Sequence, residues 1–103
     1  MKVEDCYKVF DEALKEDADI FESMKQFYIM RHTDAEVFKE AAKVHLDKTK
    51  YNIVDKYGFA ILYEPDDEKR EGFGTHKWEQ GISKEYIEGA RKFYYWREEQ
   101  KKK

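Results

Sequence analysis

Apolar residues near the start of the chain recur at steps of three and four, and this spacing constrains the fold more than any other feature. Val3, Cys6, Tyr7, Phe10, Ala13 and Leu14 fall on one side of a helix, with Asp, Glu and Lys on the other. Ile20, Phe21, Met24, Phe27 and Tyr28 repeat the pattern, and Asp17 and Asp19 stand where a second helix needs a residue to accept backbone N–H groups. Thr33-Asp34-Ala35-Glu36 reads as a capping box, which opens a third helix through Val37, Phe38, Ala41 and Val44.

Beyond residue 57 the pattern changes. Gly58 reads as a helix stop, because glycine enters the left-handed region without steric cost. Phe59-Ala60-Ile61-Leu62-Tyr63 is a short apolar run of strand-forming character, and Pro65-Asp66-Asp67 has the residues of a turn. With Glu71 to Trp78 as a return strand, the pattern predicts a small β-hairpin over 59–78. Ser83 can cap a last helix in which Ile82, Tyr86, Ala90 and Phe93 share a face. The expected fold is therefore mainly α with a small β-hairpin (α+β), about four helices in one domain over residues 1–103.

Composition narrows the function classes. A chain of 103 residues has room for one core, and 17% aromatic residues argue against disorder despite a 42% charged share. The net charge of −3 is unevenly spread: residues 1–40 hold six Lys/Arg against eleven Asp/Glu, whereas 41–103 hold fourteen against twelve. Cys6 is the lone cysteine and excludes an internal disulfide. No run approaches the roughly 18 apolar residues of a membrane span, and the first residues lack the apolar stretch of a signal peptide. The reading is a cytoplasmic protein with no membrane partner.

Residues 37–57 carry the most specific pattern. Ala41 is small where a second helix would cross the first; Val44 and Leu46 are apolar around a turn, Asp47 can cap, and Tyr51 and Val54 point inward three residues apart. This arrangement resembles the helix-turn-helix family of DNA-binding proteins over about 20 residues. It departs from that family at His45, where the turn commonly has glycine, and at Glu40, where an apolar residue is usual. The resemblance implies a sharp bend at His45–Asp47 and a recognition helix over 48–57. On that helix Lys48, Thr49, Lys50, Asn52 and Lys56 would meet base edges or phosphates. The expected hairpin resembles the wing of winged-helix proteins, which would bring Lys69, Arg70 and Lys77 to the DNA backbone. One continuous helix over 34–57 satisfies the same apolar spacing, with the lysines as a solvated face.

A second class of function follows from Phe93-Tyr94-Tyr95-Trp96. Four consecutive residues sweep around a helix and cannot all point inward. Tyr94, Tyr95 and Trp96 are thus candidates for a protein interface or for self-association, as in an inhibitor or adaptor, including one carried by a mobile element. Catalysis finds little support. His32, His45 and His76 lack the spacing of a helical metal site, Cys6 lies on an apolar face, and Gly72-Phe73-Gly74 lacks the strand-to-helix context of a phosphate cradle. The expectation is a macromolecule-binding protein that is not an enzyme and has no cofactor and no metal.

Overall fold

The computed structural model describes residues 1–48, 53–73 and 83–103. Among these the chain forms helices α1 (Val3–Ala13), α2 (Ile20–Thr33), α3 (Ala35–Lys48), α4 (Ile53–Leu62) and α5 (Lys84–Lys101), with a 3-10 helix at Pro65–Lys69. The principal dimensions are 42 × 37 × 21 Å, and α2 is the helix that touches all the others. α1 packs mainly on α3, and α2 mainly on α5, while α2 also meets α1, α3 and α4.

Local chemistry sets the helix starts. Asp19 Oδ1 accepts from Glu22 N at 3.0 Å to cap α2, and Ser83 Oγ accepts from Tyr86 N at 3.0 Å to cap α5. The third helix starts one residue later than the capping box predicts. Asp34 Oδ1 accepts from Val37 N at 3.2 Å, while Thr33 ends α2 and its hydroxyl donates back to Ile29 O at 2.7 Å. Being in the last turn of α2, Thr33 has the Ile29 carbonyl within reach, and its hydroxyl bonds there instead of capping α3.

The core follows the apolar spacing. Cys6, Phe10 and Ala13 of α1 meet Met24, Phe27 and Met30 of α2, Ala41 of α3, Tyr57 and Ala60 of α4, and Ala90 and Phe93 of α5. Its centre is aromatic: Phe27 stands edge-on to Phe10 at 5.8 Å and to Tyr57 at 5.3 Å. The Tyr57 hydroxyl donates to Ala13 O at 2.6 Å, satisfying a carbonyl in the last turn of α1. At Gly89, α5 crosses the start of α2 so closely that a Cβ there would lie 2.7 Å from Ile20 Cβ.

The β-hairpin expected over 59–78 is not formed, and the α+β assignment is corrected. Phe59 to Leu62 belong to α4, and no strand occurs among the described residues. Ile53, Tyr57, Ala60 and Tyr63 are spaced by four, three and three, and burying Tyr57, Ala60 and Tyr63 outweighs the strand preference of the short run. Gly58 sits inside α4 rather than ending it, at a cost of about 1 kcal/mol relative to alanine. Pro65 opens the 3-10 helix, where its missing N–H costs nothing. Residues 71–73 form a turn, with Gly72 at φ 82°, and the rest of the expected return strand lies outside the described residues.

Candidate functional site

The segment expected to read DNA is divided between two helices. α3 remains helical through His45, Leu46 and Asp47 and ends at Lys48, so the bend expected at His45–Asp47 does not occur there. α4 then opens at Ile53. The bend expected at His45 is therefore not formed, and the stretch between α3 and α4 on which the alternative of one helix over 34–57 turns, residues 49–52, lies outside the described residues. His45 is buried at 5% exposure, with Nε2 3.1 Å from Asp11 Oδ1 and its ring packed on Phe10 at 5.3 Å. It joins α3 to α1 from within the helix. Thr49, Lys50, Asn52 and Lys77 lie outside the described residues, and Lys48 is the last residue of α3.

The remaining candidate cations are engaged with the protein itself. Lys56 Nζ donates to Lys15 O at 2.5 Å and lies 5.7 Å from the Tyr57 ring centre, bracing α4 against the end of α1. Burial lowers its pKa, with Asp17 and Glu16 pulling the other way. Lys69 Nζ lies 3.6 Å from Asp66 Oδ1 on the 3-10 helix, an exposed pair of the kind that contributes little. Arg70 follows it as the C-cap and is exposed. The structure does not gather these residues into one described basic face.

The aromatic residues of α5 separate cleanly. Phe93 is buried, and Trp96 packs edge-on to Tyr28 at 5.2 Å with Lys25 Nζ 5.9 Å from its ring. Tyr94 is half-buried beneath the Arg97 guanidinium, which lies 5.5 Å from both the Tyr94 and Phe93 rings. Tyr95 alone of the three candidates points outward, at 58% exposure, edge-on to Tyr94.

A second exposed apolar group lies at the end of α4, in the run that the sequence reading assigned to a strand. Ile61 is 43% exposed and Leu62 is 80% exposed. Both follow from the helix: with Tyr57, Ala60 and Tyr63 turned inward, Ile61 and Leu62 are carried about 100° and 200° around from Ala60. Reading the run as a strand concealed this, because alternation sends its side chains to different faces. Arg97 Nη1 donates to Ile61 O at 3.4 Å, which ties this end of α4 to the Tyr94–Tyr95 region of α5. Beside Leu62, a groove of about 250 Å³ is lined by Gly58, Phe59, Leu62 and Asp67.

The 3-10 helix bordering this groove is firmly held. Arg91 donates to Glu68 through Nη2 at 2.6 Å and Nε at 3.3 Å, and the Tyr63 hydroxyl donates to Glu68 Oε2. The two-pronged guanidinium contact, with Tyr63 behind it, holds the Glu68 carboxyl below the usual carboxylate range. Burial, with the Glu68 contact, pushes the Tyr63 pKa up to about 12. The clamp joins α4, the 3-10 helix and α5, giving the exposed residues a rigid base.

No family model matches this chain, and neither curated proteins nor solved structures yield a match. Among the described residues, no helix is long and apolar enough to cross a membrane.

Proposed function

We propose that the chain is a small protein-binding module, not an enzyme, whose contact surface is the outer corner of α4 and α5. The observation that carries this reading is Leu62, 80% exposed, adjoining the exposed Ile61 and a groove at the end of a braced helix. Scattered exposed apolar residues are ordinary, but here two neighbours and a groove are continuous. Burying a leucine side chain under a partner stabilises the complex by roughly 1.5–3 kcal/mol. Tyr95 adds a ring of the kind favoured in interface centres.

DNA fits this corner less well. Residues 64–71 carry five Asp/Glu against two Lys/Arg, which would repel phosphates. Lys56, expected to contact DNA, is instead engaged with Lys15 O.

The reading is tested by placing a photo-crosslinking phenylalanine analogue at Leu62, and at Lys39 on α3 as a control, in cells of the source organism. The expected result is a discrete adduct from position 62, absent from position 39, that is destroyed by protease and survives nuclease. Nuclease-sensitive adducts, or equal labelling from both positions, would overturn it. Duplex DNA binding that weakens with salt and is lost in a Lys48/Lys50/Asn52 triple alanine variant would replace it with the DNA reading.

A further inference from the structure

Resting on the protein-binding reading, we infer that the partner presents an apolar side chain flanked by lysine or arginine, and that it docks in the Gly58–Leu62 groove beneath the 3-10 helix. Gly58 and Leu62 are one turn apart on α4, so the missing side chain at Gly58 leaves a notch next to a protruding leucine. Phe59 also lines the groove, half-buried and packed 5.8 Å from Tyr63. A notch of this size accepts one apolar side chain, not a flat surface.

Charge complementarity identifies what surrounds that side chain. Asp67 lines the groove, and Glu64 and Asp66 are exposed on the same short segment. Residues 64–71 have a balance of −3 that already counts Lys69, which lies 3.6 Å from Asp66, and Arg91 from outside the segment offsets Glu68. On the α5 side, Arg97 is folded against Phe93 and Tyr94, with Nη2 3.9 Å from Glu98. An approaching partner therefore meets an apolar notch with an anionic rim.

The same rim argues against the other occupants. A two-fold dimer through this face would set each acidic rim against its copy, because a symmetric interface uses one patch twice. Nucleic acid would bring phosphates to the same carboxylates. A basic, apolar peptide or helix satisfies both the notch and the rim.

The test uses the full chain and two synthetic amphipathic peptides, one of leucine and lysine, the other with every lysine replaced by glutamate. Affinities are measured by fluorescence anisotropy at two ionic strengths. The lysine peptide is expected to bind at least about tenfold more tightly at low salt, with the difference shrinking as salt screens the rim. Leu62→Ser should weaken the lysine peptide about tenfold or more. Gly58→Gln fills the notch and should also abolish binding while keeping the helix, since Gly58 has an ordinary helical backbone. The pair Glu64→Gln/Asp66→Asn keeps hydrogen-bond acceptors in place and should remove most of the salt dependence.

Circular dichroism and urea midpoints of each variant establish folding independently. Equal binding of both peptides, sensitive to Leu62→Ser, would overturn the basic partner and leave the protein-binding surface standing. Binding of neither peptide, or binding indifferent to both Leu62→Ser and Gly58→Gln, would overturn the groove. The crosslinking result at position 62 then decides the broader reading on its own. A concentration-dependent dimer that is lost in Leu62→Ser would assign the face to a second copy of the chain.

Discussion

Gly89→Ala sets two effects of opposite sign against each other. In an exposed helix interior, alanine is favoured over glycine by about 1 kcal/mol. At position 89 the added Cβ would stand 2.7 Å from Ile20 Cβ, 3.0 Å from Ile20 Cγ2 and 3.1 Å from Phe21 N. Carbon atoms pack favourably at about 3.5–4.0 Å, so α2 and α5 must part by roughly 1 Å at their crossing. Neither neighbour is the movable tip of a long side chain: Ile20 Cβ sits on the backbone, and Phe21 N belongs to it. Overpacking of this kind costs about 1–3 kcal/mol, which exceeds the gain in helix propensity.

The expected outcome is a net loss of about 1 kcal/mol, read as a lower urea midpoint with an unchanged slope. Gly58→Ala is the internal control. Gly58 is also inside a helix, its φ is not positive, and it borders an open groove, so the propensity gain should stand and the midpoint should rise. Stabilisation by both substitutions would refute the close α2–α5 crossing, and with it the placement of the α5 aromatic residues.

Three further outcomes follow from the buried polar contacts. Tyr57→Phe leaves the Ala13 carbonyl without its 2.6 Å donor and should cost about 1–3 kcal/mol, or about 4–8 °C of Tm per kcal/mol, by thermal denaturation; an unchanged Tm would refute the bond. Arg91, first, and Tyr63 lower the Glu68 pKa, so its contribution is present above the unfolded glutamate value of about 4.3 and is lost as pH falls through the lower folded value. Glu68→Gln should therefore be less stable than the parent near neutrality and show a flatter urea midpoint against pH in acid, whereas parallel curves would refute the clamp. Burial raises Tyr63 and Tyr86 to about 12, so their contribution is full below about 10 and is lost as pH rises through the folded values. Tyrosinate absorbance should show these groups ionising together with loss of the far-ultraviolet helix signal; titration of every tyrosine near 10 in a folded protein would refute this.

Much of the helical scaffold can be read from spacing because it rests on local rules. The buried residues of α1 and α2, the Asp19 and Ser83 caps and the inward Ala90 and Phe93 all follow from a period of 3.6 and from short side chains that accept N–H groups. Such preferences act within a few residues and need no knowledge of the neighbouring helix. The α4 region failed the same reading because its evidence is not local. Phe59 to Tyr63 suit a strand or a helix until Tyr57 finds Ala13 O and Phe27 across the core, and Tyr63 finds Glu68 and Arg91.

His45 illustrates the same limit: in the chain it is a polar residue at an apparent turn, and only its contacts with α1, the Phe10 ring and Asp11 34 residues away, bring it into the interior. The candidate surface is hidden for that reason too. Ile61 and Leu62 are indistinguishable by type from core residues, and their exposure depends on which side of α4 the rest of the molecule covers. Periodicity along a chain states that a helix has an apolar side; packing against distant segments states which apolar residues are left over, because burial is a property of three-dimensional neighbours rather than of sequence neighbours.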